Sequence, residues 1–193
     1  MDIQTTSEFE NITFEGADFA QLKVTNKVFT DCHFVNANFA SADFFKSTFT
    51  ECSFVNCNLS NVSAEASRMK DVRFENCKML GFNFAKCDPW LLRVSFNKCL
   101  LNLSNFSMLN LGGTSFKGSL LHEVDFIETN LAKCDFTECD LLGARISRSD
   151  LRGANFVTAK NYLIDPRNNK VQNARFGTPG VLSLLSAFDI QIE

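Results

Sequence analysis

Large apolar residues recur at every fifth position along most of the chain. From Phe9, steps of five meet Phe14, Phe19, Val24, Phe29, Phe34, Phe39, Phe44, Phe49, Phe54, Leu59, Ala64, Met69, Phe74, Met79 and Phe84. The register then slips by two residues and resumes at Leu91. From there it runs through Phe96, Leu101, Phe106, Leu111, Phe116, Leu121, Phe126, Leu131, Phe136, Leu141, Ile146, Leu151 and Phe156. These 30 positions hold 17 of the 21 phenylalanines. Five residues advance an α-helix by about 500°, which scatters successive rings over different faces. On a strand an odd step sends alternate rings to opposite sides. All the centres point inward only if the backbone bends once per repeat, so the period predicts a coil of short extended segments stacked into a solenoid.

Flanking positions support that reading. Two residues before the centre stand small side chains, among them Ala17, Cys32, Ala37, Ala42, Ser47, Cys52, Cys57, Cys99, Ser104, Thr129 and Ala154. A second inward side chain beside a large one has to be small. Immediately before the centre often comes Asp or Asn, as at Asp18, Asn38, Asp43, Asn58, Asp135 and Asn155. Their short polar side chains bond neighbouring backbone at tight bends.

Ala37-Asn38-Phe39, Ala42-Asp43-Phe44 and Ala154-Asn155-Phe156 resemble the A(D/N)Lxx motif of the pentapeptide-repeat proteins. The resemblance covers about 150 residues. It implies an all-β fold, a right-handed quadrilateral β-helix with four repeats per coil, closed by a short C-terminal helical cap. The 30 repeats then make about 7.5 coils, a rod of roughly 36 Å at the usual strand spacing. The chain divides into an N-terminal cap (1–8), a first register (9–86), a break (87–90), a second register (91–161) and a C-terminal cap and dimerisation segment (162–193).

The rule weakens in three places. Residues 60–72 put Ala64 and Met69 at centres, a thinner core expected to distort or bend the rod. In Lys86-Cys87-Asp88-Pro89-Trp90, Pro89 occupies the old centre and cannot donate to a ladder. Trp90, the only tryptophan, reads either as an exposed partner-binding residue on a small protrusion or as a side chain folded back over the irregular coil. From Tyr162 the pattern fades into a turn and a polar loop. Thr178-Pro179 then reads as a helix start, Thr as N-cap and Pro at the first helical position. The helix and tail carry Val181, Leu182, Leu184, Leu185, Phe188, Ile190 and Ile192, more apolar surface than a cap requires. Family resemblance implies end-to-end homodimerisation through these residues; a monomeric cap is the alternative.

Composition narrows the chemistry. A net charge of −3 gives no basic field for direct nucleic-acid binding, no apolar run reaches membrane-span length, and the polar N-terminus is unlike a signal peptide. A cytoplasmic location is the default. The eight cysteines occupy the small inward position and read as buried, reduced packing groups, not disulfides or zinc ligands. His33 and His122 fall on outward positions, and Gly112-Gly113-Thr114-Ser115-Phe116-Lys117-Gly118 lacks the order of a phosphate loop. A solenoid wall offers no deep pocket for paired carboxylates. No cofactor, no metal and no enzymatic activity are expected.

Within the pentapeptide-repeat family, the two-register body, the short break and the C-terminal helix resemble the Qnr-type quinolone-resistance and albicidin-resistance subgroup. The stretch Asp71–Gly81 (DVRFENCKMLG), Asn161-Tyr162 with Ile164-Asp165, and Asp189-Ile190 carry the local likeness. The resemblance implies binding to DNA gyrase or topoisomerase IV, protecting or inhibiting the enzyme, with an acidic rod standing in for duplex DNA as one mechanism. Glu123, Glu128 and Glu138 fall on outward positions where they would replace phosphates, whereas residues 145–175 are basic. Two other readings are direct antibiotic binding, which needs an apolar groove, and a scaffold for some other partner.

Overall fold

The computed structural model describes residue 3, residues 5–188 and residue 190. The chain winds as a parallel β-solenoid of about eight turns. Each turn has four short walls, and we number the walls by the centres they carry. Wall 1 begins with strands Glu8–Glu10, Val28–Thr30, Thr48–Thr50 and Arg68–Lys70, and wall 2 with Thr13–Glu15, His33–Val35, Ser53–Val55, Val72–Glu75 and Val94–Asn97. Pairing is parallel and in register, Phe9 opposite Phe29 and Phe14 opposite Phe34. Walls 3 and 4 are mostly single bridges such as Asp18 to Asn38 and Asp43 to Ser63, with one strand pair on wall 4, Asp125–Ile127 with Arg145–Ser147.

The bend that the period demands lies two residues after each centre. Asn36, Ser41, Lys46 and Glu51 there have φ of 53°, 58°, 56° and 57°. This left-handed conformation turns the chain through a corner. Where Gly143 takes that position (φ 70°), an added Cβ would lie 3.2 Å from Glu123 Cγ of the coil below, so corner residues stack in columns. The Asx residues hold the wall before the corner: the amides of Ala40, Phe45 and Thr137 donate to Asn38, Asp43 and Asp135 side chains at 3.2, 3.0 and 3.0 Å.

The centres fill the axis. On wall 2 nine phenylalanines, from Phe14 to Phe176, form one stack; Phe116 and Phe136 lie 5.1 Å apart and parallel, Phe136 and Phe156 4.7 Å. Neighbouring walls meet edge to face, as Phe106 and Phe116 do at 5.5 Å and 87°. Both arrangements suit the aromatic quadrupole.

Four expectations change. Residues 60–72 stay in register, with Ala64 and Met69 buried and Arg68–Lys70 paired normally. One coil above, Phe82 occupies a normally small position 4.2 Å from Phe84 and supplies the missing volume. Leu91 does not resume the core: it is exposed, and Leu92 is buried in its place. The coil does not stop at Asn161, because Asn155–Phe156 pairs with Arg175–Phe176 and Tyr162 and Ile164 enter the core. Finally, the C-terminal helix is a 3-10 helix from Gly180 to Phe188, starting one residue after Pro179, with Val181 N–H donating to the Gly177 carbonyl.

Candidate interaction surface

The two-residue slip is absorbed at one place. Pairing shifts by 20 residues per coil below it (Phe54 with Phe74), by 22 across it (Phe74 with Phe96), and by 20 again above (Leu100 with Leu120). Asp88 N–H still bonds the Ser67 carbonyl, and Arg93 N–H bonds Met69, so residues 89–91 swing out from wall 1 while Leu92 stays buried. Asp88 braces the bulge by accepting from Trp90 N–H (3.1 Å) and from Arg68 (3.0 Å), which holds its carboxyl below the usual range. Arg93 grips Asp71 through two 2.8 Å bonds and lowers that carboxyl likewise. Trp90 at the tip is 91% exposed. It does not fold back over the coil. Beside it, Pro89 to Val94 and Asn110 to Thr114 line a recess of about 460 Å³.

The structure does not gather the three glutamates. All are exposed corner residues with φ of 55°, 57° and 62°, but they stand on three different edges of the rod: Glu123 after wall 3, Glu128 after wall 4, Glu138 after wall 2. Arg148 pairs with Glu128 at 2.9 Å, Lys117 lies 3.7 Å from Glu138, and Asp125 is paired with Arg145. The basic stretch after residue 145 thus neutralises acids one coil below. Wall 3 carries an apolar patch that the five-residue pattern does not single out, with Leu100, Leu103 and Leu142 exposed. Its signal is nonetheless in the chain: Leu100 and Leu120 stand where Asn or Asp is usual, and Leu103 at a corner (φ 63°).

At the C-terminal end, Val181, Leu182, Phe188 and Ile190 are exposed, Leu185 is half-buried, and Leu184 packs on the core. Ile192 lies outside the described residues. Arg167 sits over the Phe188 ring at 5.4 Å.

All eight cysteines are free and buried. Several thiols donate to the carbonyl of a centre in the coil below, Cys134 to Leu111 at 3.0 Å and Cys139 to Phe116 at 2.9 Å. Burial pushes Cys52, Cys134 and Cys139 up to about 12 and Cys87 to about 11. His33 and His122 are far apart along the rod, at 3.9 Å from Asp31 and 3.2 Å from Asp140. Among the described residues no group of three His, Cys, Asp or Glu is placed to hold a metal ion.

A family model for the pentapeptide repeat region matches residues 27–89 and 90–160. The chain belongs to the pentapeptide-repeat family. Comparison with curated proteins gives no match. Among solved structures the rod is similar to trypsin-treated QnrB1, a plasmid-mediated fluoroquinolone resistance protein (TM-score 0.59, 15% identity, 96% of this chain and 100% of that one). Full-length QnrB1 gives 0.58 at 16% identity, covering 95% and 100%. HetL of Nostoc sp. strain PCC 7120, a pentapeptide repeat protein involved in heterocyst differentiation regulation, gives 0.57 at 13% identity, covering 90% of each chain. At these identities the likeness is one of fold. This pentapeptide-repeat rod has the interrupted wall, the tryptophan bulge and the apolar cap described above. No helix among its described residues is long and apolar enough to cross a membrane.

Proposed function

We propose that this pentapeptide-repeat protein acts in the cytoplasm without catalysis, binding DNA gyrase or topoisomerase IV and shielding the enzyme from antibiotics such as quinolones or albicidin. The observation that carries the reading is Trp90, held at 91% exposure on a braced bulge. Exposed tryptophan on a rigid support is the residue type that dominates protein interfaces. The fold shared with QnrB1 over that chain's full length supports the same assignment. Contact through the bulge is favoured over charge mimicry, since the three glutamates face different ways and two are paired. Homodimerisation through Val181, Leu182, Phe188 and Ile190 belongs to this reading, since those side chains stand exposed at the rod's end. A scaffold for another partner is the second reading, favoured by the fold shared with HetL.

Surface plasmon resonance with immobilised gyrase and topoisomerase IV tests the reading. Micromolar or tighter binding is expected, weakened by about 2 kcal/mol or more in Trp90→Ala. Equal binding by wild type and variant removes Trp90 from the contact, and no binding to either enzyme defeats the topoisomerase assignment in favour of the scaffold.

A further inference from the structure

The bulge leaves a strand edge open in the middle of wall 1. In the coils above, Asn130 N–H donates to the Leu109 carbonyl at 2.9 Å and Asp150 N–H to Thr129 at 3.0 Å; below, Arg68 N–H donates to Ser47 at 2.8 Å. The equivalent bond from Asn110 would reach Cys87, and the Asn110 carbonyl would accept from Leu91; with 89–91 swung outward neither is made. Arg93 N–H, whose counterpart Gly113 donates to Ala132 one coil up, is spent instead on Met69, so the Gly112 carbonyl also lacks its donor. Among the described residues, Asn110 N–H, Asn110 C=O and Gly112 C=O therefore line one edge with no backbone partner. They face the recess of about 460 Å³ whose rim is Trp90 and Leu91, both exposed.

A donor and acceptor on one residue, with a further acceptor two residues on, is the template an added strand reads, and an adjoining pocket selects its side chains. A small ion is a poor occupant, since Arg93 and Asp88 are already paired. We infer that the recess takes an extended segment of a protein partner, which pairs with Asn110 and Gly112 as a short extra strand and lays an apolar side chain against Trp90. This deepens the bulge-contact reading and rests on it.

Amide hydrogen exchange of the whole chain tests it with two probes, the intact gyrase heterotetramer and random twelve-residue peptides selected by display. Bound probe is expected to slow Asn110 exchange at least tenfold, leave the already paired Asn130 amide unchanged, and shift Trp90 emission to the blue. Trp90→Ala is expected to weaken binding about 30-fold. Gyrase that binds while Asn110 exchanges as in the free rod overturns strand pairing and leaves the topoisomerase reading standing. If gyrase does not bind, that reading fails, and the peptides decide alone: selected peptides that protect Asn110 uphold the inference, and none that do so overturns it.

Discussion

At the scale of the residue, the position two before each centre is more than small. Ser47, Thr129 and Ser149 hydroxyls donate to the carbonyls of Val24, Phe106 and Phe126 at 2.6, 3.0 and 2.6 Å, as the thiols do. Each such donor satisfies a carbonyl turned into the rod, which favours Cys and Ser at a position that Ala37, Ala42 and Ala154 also fill. Ser149→Ala is expected to cost about 1 kcal/mol, lowering the melting temperature by roughly 2–4 °C. The cysteines set a pH dependence. The buried thiols of Cys134 and Cys139 stay protonated up to about 12, against 9.0 in the unfolded chain, so their stabilising contribution is complete below pH 9 and is lost as pH rises toward 12. Thermal melts should hold level from about pH 7 to 8.5 and fall beyond it, less steeply in the variant with Cys134→Ala and Cys139→Ala. Corner residues carry strain instead. Leucine at φ 63° in Leu103 is disfavoured, and Leu103→Asn is expected to raise the melting temperature, which calorimetry checks.

At the scale of the element, the five-residue period alone makes the solenoid, its inward centres and the position of the slip legible. The period does not place the slip's side chains. Two extra residues can enter a wall in several ways, and the choice between Leu91 and Leu92 depends on which phase lets Arg93 reach both Met69 and Asp71. Leu91→Ser should leave stability within about 0.5 kcal/mol, whereas Leu92→Ala should cost about 2–5 kcal/mol in denaturant titrations. The last coil is hidden from the period for a related reason. Tyr162, Pro166 and Asn169 break the motif, yet Asn169 replaces the small donor by bonding the Ile146 carbonyl at 3.2 Å and accepting from Ser149 N–H at 2.9 Å. The helix runs from Gly180, one residue after the Pro179 that the sequence places at its first position. Of the candidate contact residues, the glutamates face outward as their spacing implies. Their separation onto different edges follows from corner geometry, which spacing alone does not reveal.

At the scale of the whole molecule, the rod offers a polar shaft interrupted by the bulge and an apolar end. Dimerisation through that end predicts that Leu182→Glu with Phe188→Glu converts a dimer to a folded monomer in analytical ultracentrifugation, with the solenoid's circular dichroism unchanged. A wild-type monomer would assign those side chains to the cap alone. Topoisomerase protection itself is decided by gyrase-mediated DNA cleavage in the presence of a fluoroquinolone or albicidin, with and without the purified protein. Protein at concentrations below the drug's is predicted to reduce cleavage and restore supercoiling, and Trp90→Ala to lose most of this effect while remaining folded. Unchanged cleavage and supercoiling at micromolar protein, for gyrase and topoisomerase IV alike, would contradict that role.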